Sequence, residues 1–309
     1  TPRIADTAKH LWYIYLSITI ACAGAYWLAG MNVFDSICHA FSTVAIGGFS
    51  NHDASLGYFN SPMVNVVCTV FLLIAALNFS LHYAAVSSRS VKGYFKDPEF
   101  KAFFIIQASL IGICFLVLTL SGYYTSAEQA LDQAMIQAVS ISTTAGFATT
   151  DFSIWPTFLP IMLIFSSFIG GCASSTGGGL KVVRVCLLFL QGKREVDRLI
   201  HPKAVYSVKF GDRAMPDRVV EAVWGFFSAY AVVFVVLMIG LIATGLDNLS
   251  AFTATAAMLN NLGPGLGSVA ANYADVTDAG KWILVTGMVF GRLEVFSLLV
   301  LFSPTFWRS

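Results

Sequence analysis

A polar, glycine-rich stretch set between apolar segments, and then repeated, constrains this chain more than any other feature. Residues 41–51, FSTVAIGGFSN, follow the short run 33–41, VFDSICHAF. That run is too short to cross a bilayer, which takes about 20 residues. The arrangement returns twice. Residues 141–151 (ISTTAGFATTD) follow the run 128–140, and residues 260–267 (NNLGPGLG) follow the run 249–259. Each time the order is long apolar helix, short helix, glycine loop, long apolar helix, an internal repeat with the period of a two-span module. Irregular backbone at membrane depth persists only where protein or a watery cavity surrounds it. The three loops therefore read as walls of one pore.

Composition agrees. Of 309 residues 57% are hydrophobic and 11% charged, against about 25% charged in a soluble domain. Candidate spans are residues 11–30, 63–86, 102–122, 156–190, 219–245 and 282–302, each long enough to cross with some tilt. Arg3 and Lys9 precede the first, Arg89, Lys92, Lys96 and Lys101 link the second to the third, and a basic run from Lys193 to Arg218 links the fourth to the fifth. Regions 31–62, 123–155 and 246–281 hold Lys281 as their only Lys or Arg. The positive-inside rule puts both ends and the basic links in the cytoplasm, so all three glycine loops enter from outside.

The outer regions also carry Asp35, Asp53, Glu128, Asp132, Asp151, Asp247, Asp275 and Asp278. These carboxylates either concentrate cations at a vestibule or accompany the charge asymmetry and cap helices. Asp35 and Asp247 stand near the starts of short helices, where a carboxylate suits the dipole. The six cysteines lie singly with no metal-ligand spacing, as buried reduced thiols do. The first residues, TPRIADTAK, include no initiator methionine and form no signal peptide, so the chain reads as a piece of something longer. An intramembrane enzyme would need HExxH, paired aspartates or a Ser–His pair. His10, His39, His52, His82 and His201 match none of these, which argues against an enzyme.

The loops share a core: Val44-Ala45-Ile46-Gly47, Thr143-Thr144-Ala145-Gly146 and Asn260-Asn261-Leu262-Gly263. Glycine tolerates the angles that turn successive carbonyls toward an axis, and a ring of carbonyls replaces the hydration shell of potassium. The expected filter comprises Val44, Ala45, Ile46, Gly47, Thr143, Thr144, Ala145, Gly146, Asn261, Leu262 and Gly263, with potassium at Ile46, Ala145 and Leu262.

Two further sites stand out. Residues 170–181 hold five glycines with Ser174, Ser175 and Thr176 in the middle of the fourth span. A helix kinked for close packing is one account; a mobile loop under the filter is the other, and Gly177-Gly178-Gly179 favours it. Arg292 falls near the middle of the sixth span, where a charge costs about 3 kcal/mol. Glu294 is two residues on and faces away from it on a helix. An arginine facing the cavity would hydrogen-bond loop carbonyls around Gly177. Asn65, Asn78 and His82 read as interhelical hydrogen bonds.

STVAIGGFS, STTAGFATTD with the following WP, GGCASSTGGGLK, and NNLGPGLG with the later MVFGRLEVF together resemble the Trk/Ktr/HKT superfamily of potassium-translocating subunits, in its bacterial Trk branch. The resemblance covers essentially the whole chain. It implies an all-α membrane protein of repeated helix–pore helix–filter loop–helix units around a pseudo-fourfold pore. Three of the four repeats are here: 1–90 as repeat two, 91–215 as repeat three, 216–309 as repeat four. The missing N-terminal repeat would supply the fourth side, so this piece alone should not conduct. The family further implies an intramembrane gating loop at 170–181, formed by Gly170, Gly171, Ser174, Ser175, Thr176, Gly177, Gly178 and Gly179, with Arg292 helping to close it. Its implied function is potassium uptake across the bacterial inner membrane, by a gated channel or by proton- or sodium-coupled symport. Potassium is the transported ion, and no organic cofactor is expected. The implied partners are a second copy of the chain and a cytoplasmic nucleotide-binding ring of the TrkA type. The basic link 193–218 either holds the topology, touches anionic lipid or docks that regulator.

Overall fold

The structure, a computed structural model, describes residues 2–301 and 306–308 apart from 157 and 294. Helix α1 (Pro2–Leu28) leads into the short α2 (Val33–Val44), and then α3 (Pro62–Ala75) and α4 (Phe79–Ser88) follow. After the short α5 (Lys92–Lys96) the order repeats with α6 (Pro98–Leu120), the short α7 (Ala127–Ser142), α8 (Leu159–Ser167) and α9 (Val182–Ile200). A small hairpin, β1 (Lys209–Phe210) and β2 (Arg213–Ala214), lies in the basic link of an otherwise helical chain. Helix α10 (Asp217–Ala243), the short α11 (Asn248–Leu259), α12 (Asp278–Arg292) and α13 (Val295–Leu301) complete the order.

Each short helix begins with a polar cap. Asn32, Ser126 and Asp247 accept hydrogen bonds from the backbone N–H groups of Asp35, Gln129 and Ser250, satisfying donors that a helix start leaves unpaired. Each short helix packs on the long helix before it, α2 on α1, α7 on α6 and α11 on α10. Contacts of α3 with α7 and of α8 with α11 join one unit to the next. Ala134, Ala138, Ala254, Ala256 and Ala257 are fully buried on the short helices, as expected where close backbone approach replaces the hydrophobic effect as the source of association. Trp12, Ile105, Leu116, Val232 and Ile239 stay exposed on the long helices, an apolar exterior suited to lipid.

The six expected spans divide into two kinds. Among the described residues, α1, α6 and α10 are the helices long and apolar enough to cross a membrane unbroken. The second helix of every unit is broken. The segment expected to span 63–86 bends by 88° between α3 and α4. The fourth opens into a loop between α8 and α9, and in the sixth α12 ends at Arg292 before α13 begins. The first of these breaks contains Ala76-Leu77-Asn78, with neither glycine nor proline. Its freed groups are satisfied from elsewhere: Ala76 O accepts from Cys172 N–H at 2.8 Å, and Phe79 N–H donates to Ser174 O at 3.4 Å. His82 Nε2 lies 3.0 Å from Ile74 O, and Asn78 caps α4 through Ser80 N–H. Asn78 is therefore a cap, and His82 bridges the bend while its Nδ1 meets the Tyr94 hydroxyl on α5 at 2.6 Å. Asn65, whose amide donates to Asp132 on α7 at 2.7 Å, and His82, which reaches α3 and α5, make the interhelical bonds expected of them, while Asn78 serves as a cap instead.

A polar bond from the preceding long helix holds the last turn of each short helix. Tyr26 Oη and Thr43 Oγ1 are 2.7 Å apart, Ser142 Oγ donates to Gln107 Oε1 at 2.8 Å, and Tyr230 Oη donates to Asn260 Oδ1 at 2.6 Å. Asn260 is fully buried, and its amide nitrogen donates on to Ser167 Oγ. Tyr230→Phe leaves that amide oxygen without its donor inside the protein, a loss of about 1–3 kcal/mol. It is expected to lower the thermal unfolding midpoint in detergent while leaving the helix content of the folded state unchanged. An unshifted midpoint would show that the bond contributes nothing net.

Candidate functional site

The three short helices end in one motif. After the caps Ala45, Thr143 and Asn260, the residues Ile46, Thr144 and Asn261 take positive φ of 52°, 70° and 57°. The next residues, Gly47, Ala145 and Leu262, donate N–H to Ser42 O, Ser140 O and Ala257 O at 2.7, 2.8 and 2.7 Å. This is the Schellman closure, in which glycine normally takes the left-handed position. Isoleucine and threonine there are strained by about 1–3 kcal/mol, as backbones at functional sites often are.

The motif sets the register. Two residues past each cap lies Gly47, Ala145 or Leu262, and three past it lies Gly48, Gly146 or Gly263. All three of these last glycines have positive φ, 69°, 86° and 97°. The first loop is thus one residue out of the register expected from sequence, with Gly48 rather than Gly47 in line with Gly146 and Gly263. Contacts between loops follow the same order. A Cβ on Gly48 would lie 1.9 Å from Ala145 O, and one on Gly146 would lie 2.1 Å from Leu262 O. Each glycine therefore seats the carbonyl that precedes the glycine of the next loop. A Cβ on Gly263 would meet open space.

The glycine-rich loop between α8 and α9 lies against the C-terminal ends of the short helices. Thr176 Oγ1 donates to Val44 O at 2.9 Å, and Gly178 N–H donates to Thr144 Oγ1 at 2.7 Å. A Cβ on Gly177 would stand 2.9 Å from Thr143 O, and one on Gly178 would stand 1.9 Å from Asn260 O. Gly170 and Gly179 cross at the base of the loop, where Gly170 packs against Gly178 and Gly179 against Ser167 O. Gly171 sits under the Ser175 hydroxyl, and Ser174 has φ 56°. The buried carboxylate of Glu99 on α6 accepts from Ala173 N–H at 2.7 Å and Val183 N–H at 3.1 Å, tying both ends of the loop to one atom.

Arg292 closes the constellation. It is the last residue of α12 rather than a mid-helix charge, and the C-terminal end of a helix favours a cation. Its Nη1 donates to Thr176 O at 3.2 Å. Glu294 lies outside the described residues. A cavity of about 1090 Å³ runs past Ala45–Ser50, Ala145, Gly146, Asn261–Pro264 and Arg292, and a second of about 310 Å³ lies across the loop, past Gly177–Gly179, Lys181 and Arg292. Asp53 and Asp151 line the larger one. The other acidic residues include structural ones. Asp247 is a cap, and bonds from Ser250 hold its carboxyl below the usual carboxylate range. Asp35 is held low chiefly by the Asn51 amide, against the cost of burial, with His52 and Asn32 adding to the effect.

The family model for TrkH, a cation transport protein, matches residues 1–309. The chain belongs to the TrkH family. It is 66% identical to the Trk system potassium uptake protein TrkH of Vibrio parahaemolyticus over 311 residues and 59% identical to that of Escherichia coli K12 over 308. The match covers all of this chain and 64% of each relative, so the chain spans just under two thirds of their length. The crystal structure of the potassium transporter TrkH from Vibrio parahaemolyticus superposes with a TM-score of 0.96 at 65% identity, covering 99% of this chain and 66% of that one. TrkH is a family of helical membrane transporters and not of enzymes. Within this family member, Gly48, Glu99, Lys181 and the long-helix partners Tyr26, Gln107 and Tyr230 escaped the sequence reading. Each of the last three is one of several polar residues in its apolar span, so nothing local singled it out.

Proposed function

We propose that this chain forms three walls of a potassium-selective pore for uptake across the bacterial inner membrane. The carrying observation is the chain of glycine-on-carbonyl contacts, Gly48 to Ala145 and Gly146 to Leu262, in one backbone register. Carbonyls presented this way replace the water of a potassium ion, and the short helices aim their partly negative ends at the same place. The named relatives are potassium uptake proteins, which agrees. The filter comprises Val44–Gly48, Thr143–Gly146 and Asn261–Gly263, with the ion at the level of Ile46, Ala145 and Leu262. Three units, 1–90, 91–215 and 216–309, supply it. A fourth unit closes the ring at the open side of Gly263. The basic link faces the cytoplasm and the glycine loops enter from outside. The exposed Lys193, Arg198, Lys203, Lys209, Arg213 and Arg218 suit a cytoplasmic nucleotide-binding ring, working on a homodimer.

Residues 170–181 are the gate in this reading, because they cover the short-helix ends through Thr176, Gly177 and Gly178. Deleting residues 173–178 in the full-length protein is expected to raise potassium flux into liposomes without the regulator while keeping the potassium-to-sodium ratio. Loss of flux from folded protein would make the loop structural. The broken second helix of each unit also suits coupled transport, since broken helices build secondary-transporter sites. A flux that follows an imposed proton or sodium gradient at zero potassium driving force would favour symport.

A further inference from the structure

Two fixed cations hold the loop, and one of them belongs to it. Lys181 precedes α9 with φ 79° and ψ 137°, a conformation that a residue with a Cβ adopts only where its surroundings impose it. Its side chain lies back over the loop. The ammonium donates to Ser175 O at 3.4 Å, to Ser175 Oγ at 3.3 Å and to Gly177 O. The carbonyl between them, Thr176 O, takes its hydrogen bond from Arg292. Three consecutive carbonyls are thus divided between two side chains. An ammonium is a compact point charge with rotatable donors, and bare carbonyls with a hydroxyl are the ligands that a permeating monovalent cation would take. The loop also lies on the partly negative ends of the short helices, which favours positive charge there.

We propose that Lys181 is the resident cation of the loop: its ammonium occupies the Ser175 and Gly177 carbonyls and so holds the loop over the short-helix ends, as a positioning residue of the gate. The proposal rests on the gate reading of residues 170–181. Lys181 is fixed at the start of α9, so in this proposal carrying Ser175 and Gly177 away from the short-helix ends breaks their bonds to the ammonium, and removing the charge shifts the balance toward the open form.

The test is rubidium uptake by the full-length protein, without regulator, in liposomes of phosphatidylethanolamine and phosphatidylglycerol. Lys181→Gln is expected to raise flux per folded protein roughly tenfold, the equivalent of one charge-assisted hydrogen bond, with the potassium-to-sodium ratio unchanged. Lys181→Arg keeps the charge and should fall between Gln and wild type, a rescue that loss of packing would not give. Should the Gln variant not fold, Ser175→Ala removes the hydroxyl acceptor alone and is expected to raise flux about twofold; wild-type flux there overturns the proposal. Arg292→Ala runs in parallel. If Arg292→Ala raises flux and Lys181→Gln does not, the resident-cation role falls and the gate stands. If neither raises it, the gate reading itself falls.

Discussion

Gly48→Ala is expected to abolish potassium selectivity in the full-length protein, whereas Gly47→Ala is expected to leave it near wild type. The two positions are neighbours with opposite surroundings. A Cβ on Gly48 would stand 1.9 Å from Ala145 O and 2.8 Å from Ala145 C, while one on Gly47 meets the Phe49 ring at 3.3 Å. A ring on an exposed side chain gives way; a backbone carbonyl bound into the next loop does not. Gly48 also has φ 69°, which alanine resists. The displaced group is the carbonyl that the second loop would present to an ion. Each ~1.4 kcal/mol lost from the preference for potassium is a tenfold fall in the permeability ratio. The reversal potential under potassium–sodium gradients measures that ratio. Full selectivity in Gly48→Ala would sink the glycine-on-carbonyl ring. Equal losses in both variants would restore the register read from sequence.

The second large effect is expected at Arg292. Arg292→Ala should increase potassium flux without the regulator by roughly ten- to a hundredfold, the shift that follows from losing a charged hydrogen bond of about 1.5–3 kcal/mol in the closed state. Two consequences of its geometry add. Its guanidinium donates to Thr176 O on the loop, and it lines both cavities, so in the proposed pore its charge would oppose a cation passing between them. That opposition grows as the local dielectric falls. Arg292→Lys keeps the charge but has no planar fork of donors, so its flux should lie between alanine and wild type. The further rise that the regulator gives should shrink in the alanine variant. Were Arg292 only a structural ion pair, alanine would lower folded yield and open nothing. Flux at or below wild type in well-folded Arg292→Ala decides for that alternative.

Much of the architecture was legible because local chemistry writes it. Segment length and apolarity marked α1, α6 and α10, since a bilayer demands both. The limited length of α2, α7 and α11 marked helices too short to cross, and the glycines after them marked backbone that could not face lipid. The run 170–181 stood out by the same reasoning, because its composition contradicts its depth. Arg292 was legible as a costly charge, though not as the end of a helix.

What remained hidden depended on partners far along the chain. In Gly47-Gly48 either residue satisfies a local need for glycine; the Ala145 carbonyl, brought up by the second unit, selects Gly48. Ala76-Leu77-Asn78 has ordinary helix-forming and capping residues, and the span breaks there because the loop at Cys172–Ser174 offers its backbone in place of the helical bonds. Tyr26, Gln107 and Tyr230 look like any other polar residue of their apolar helices until each meets the end of a short helix. The sequence by itself determined where backbone must be helical and where it cannot face lipid, because those are properties of a few consecutive residues. Only the tertiary structure decided which glycine admits a carbonyl and which helix gives up its own hydrogen bonds, because each is set by an atom tens of residues away.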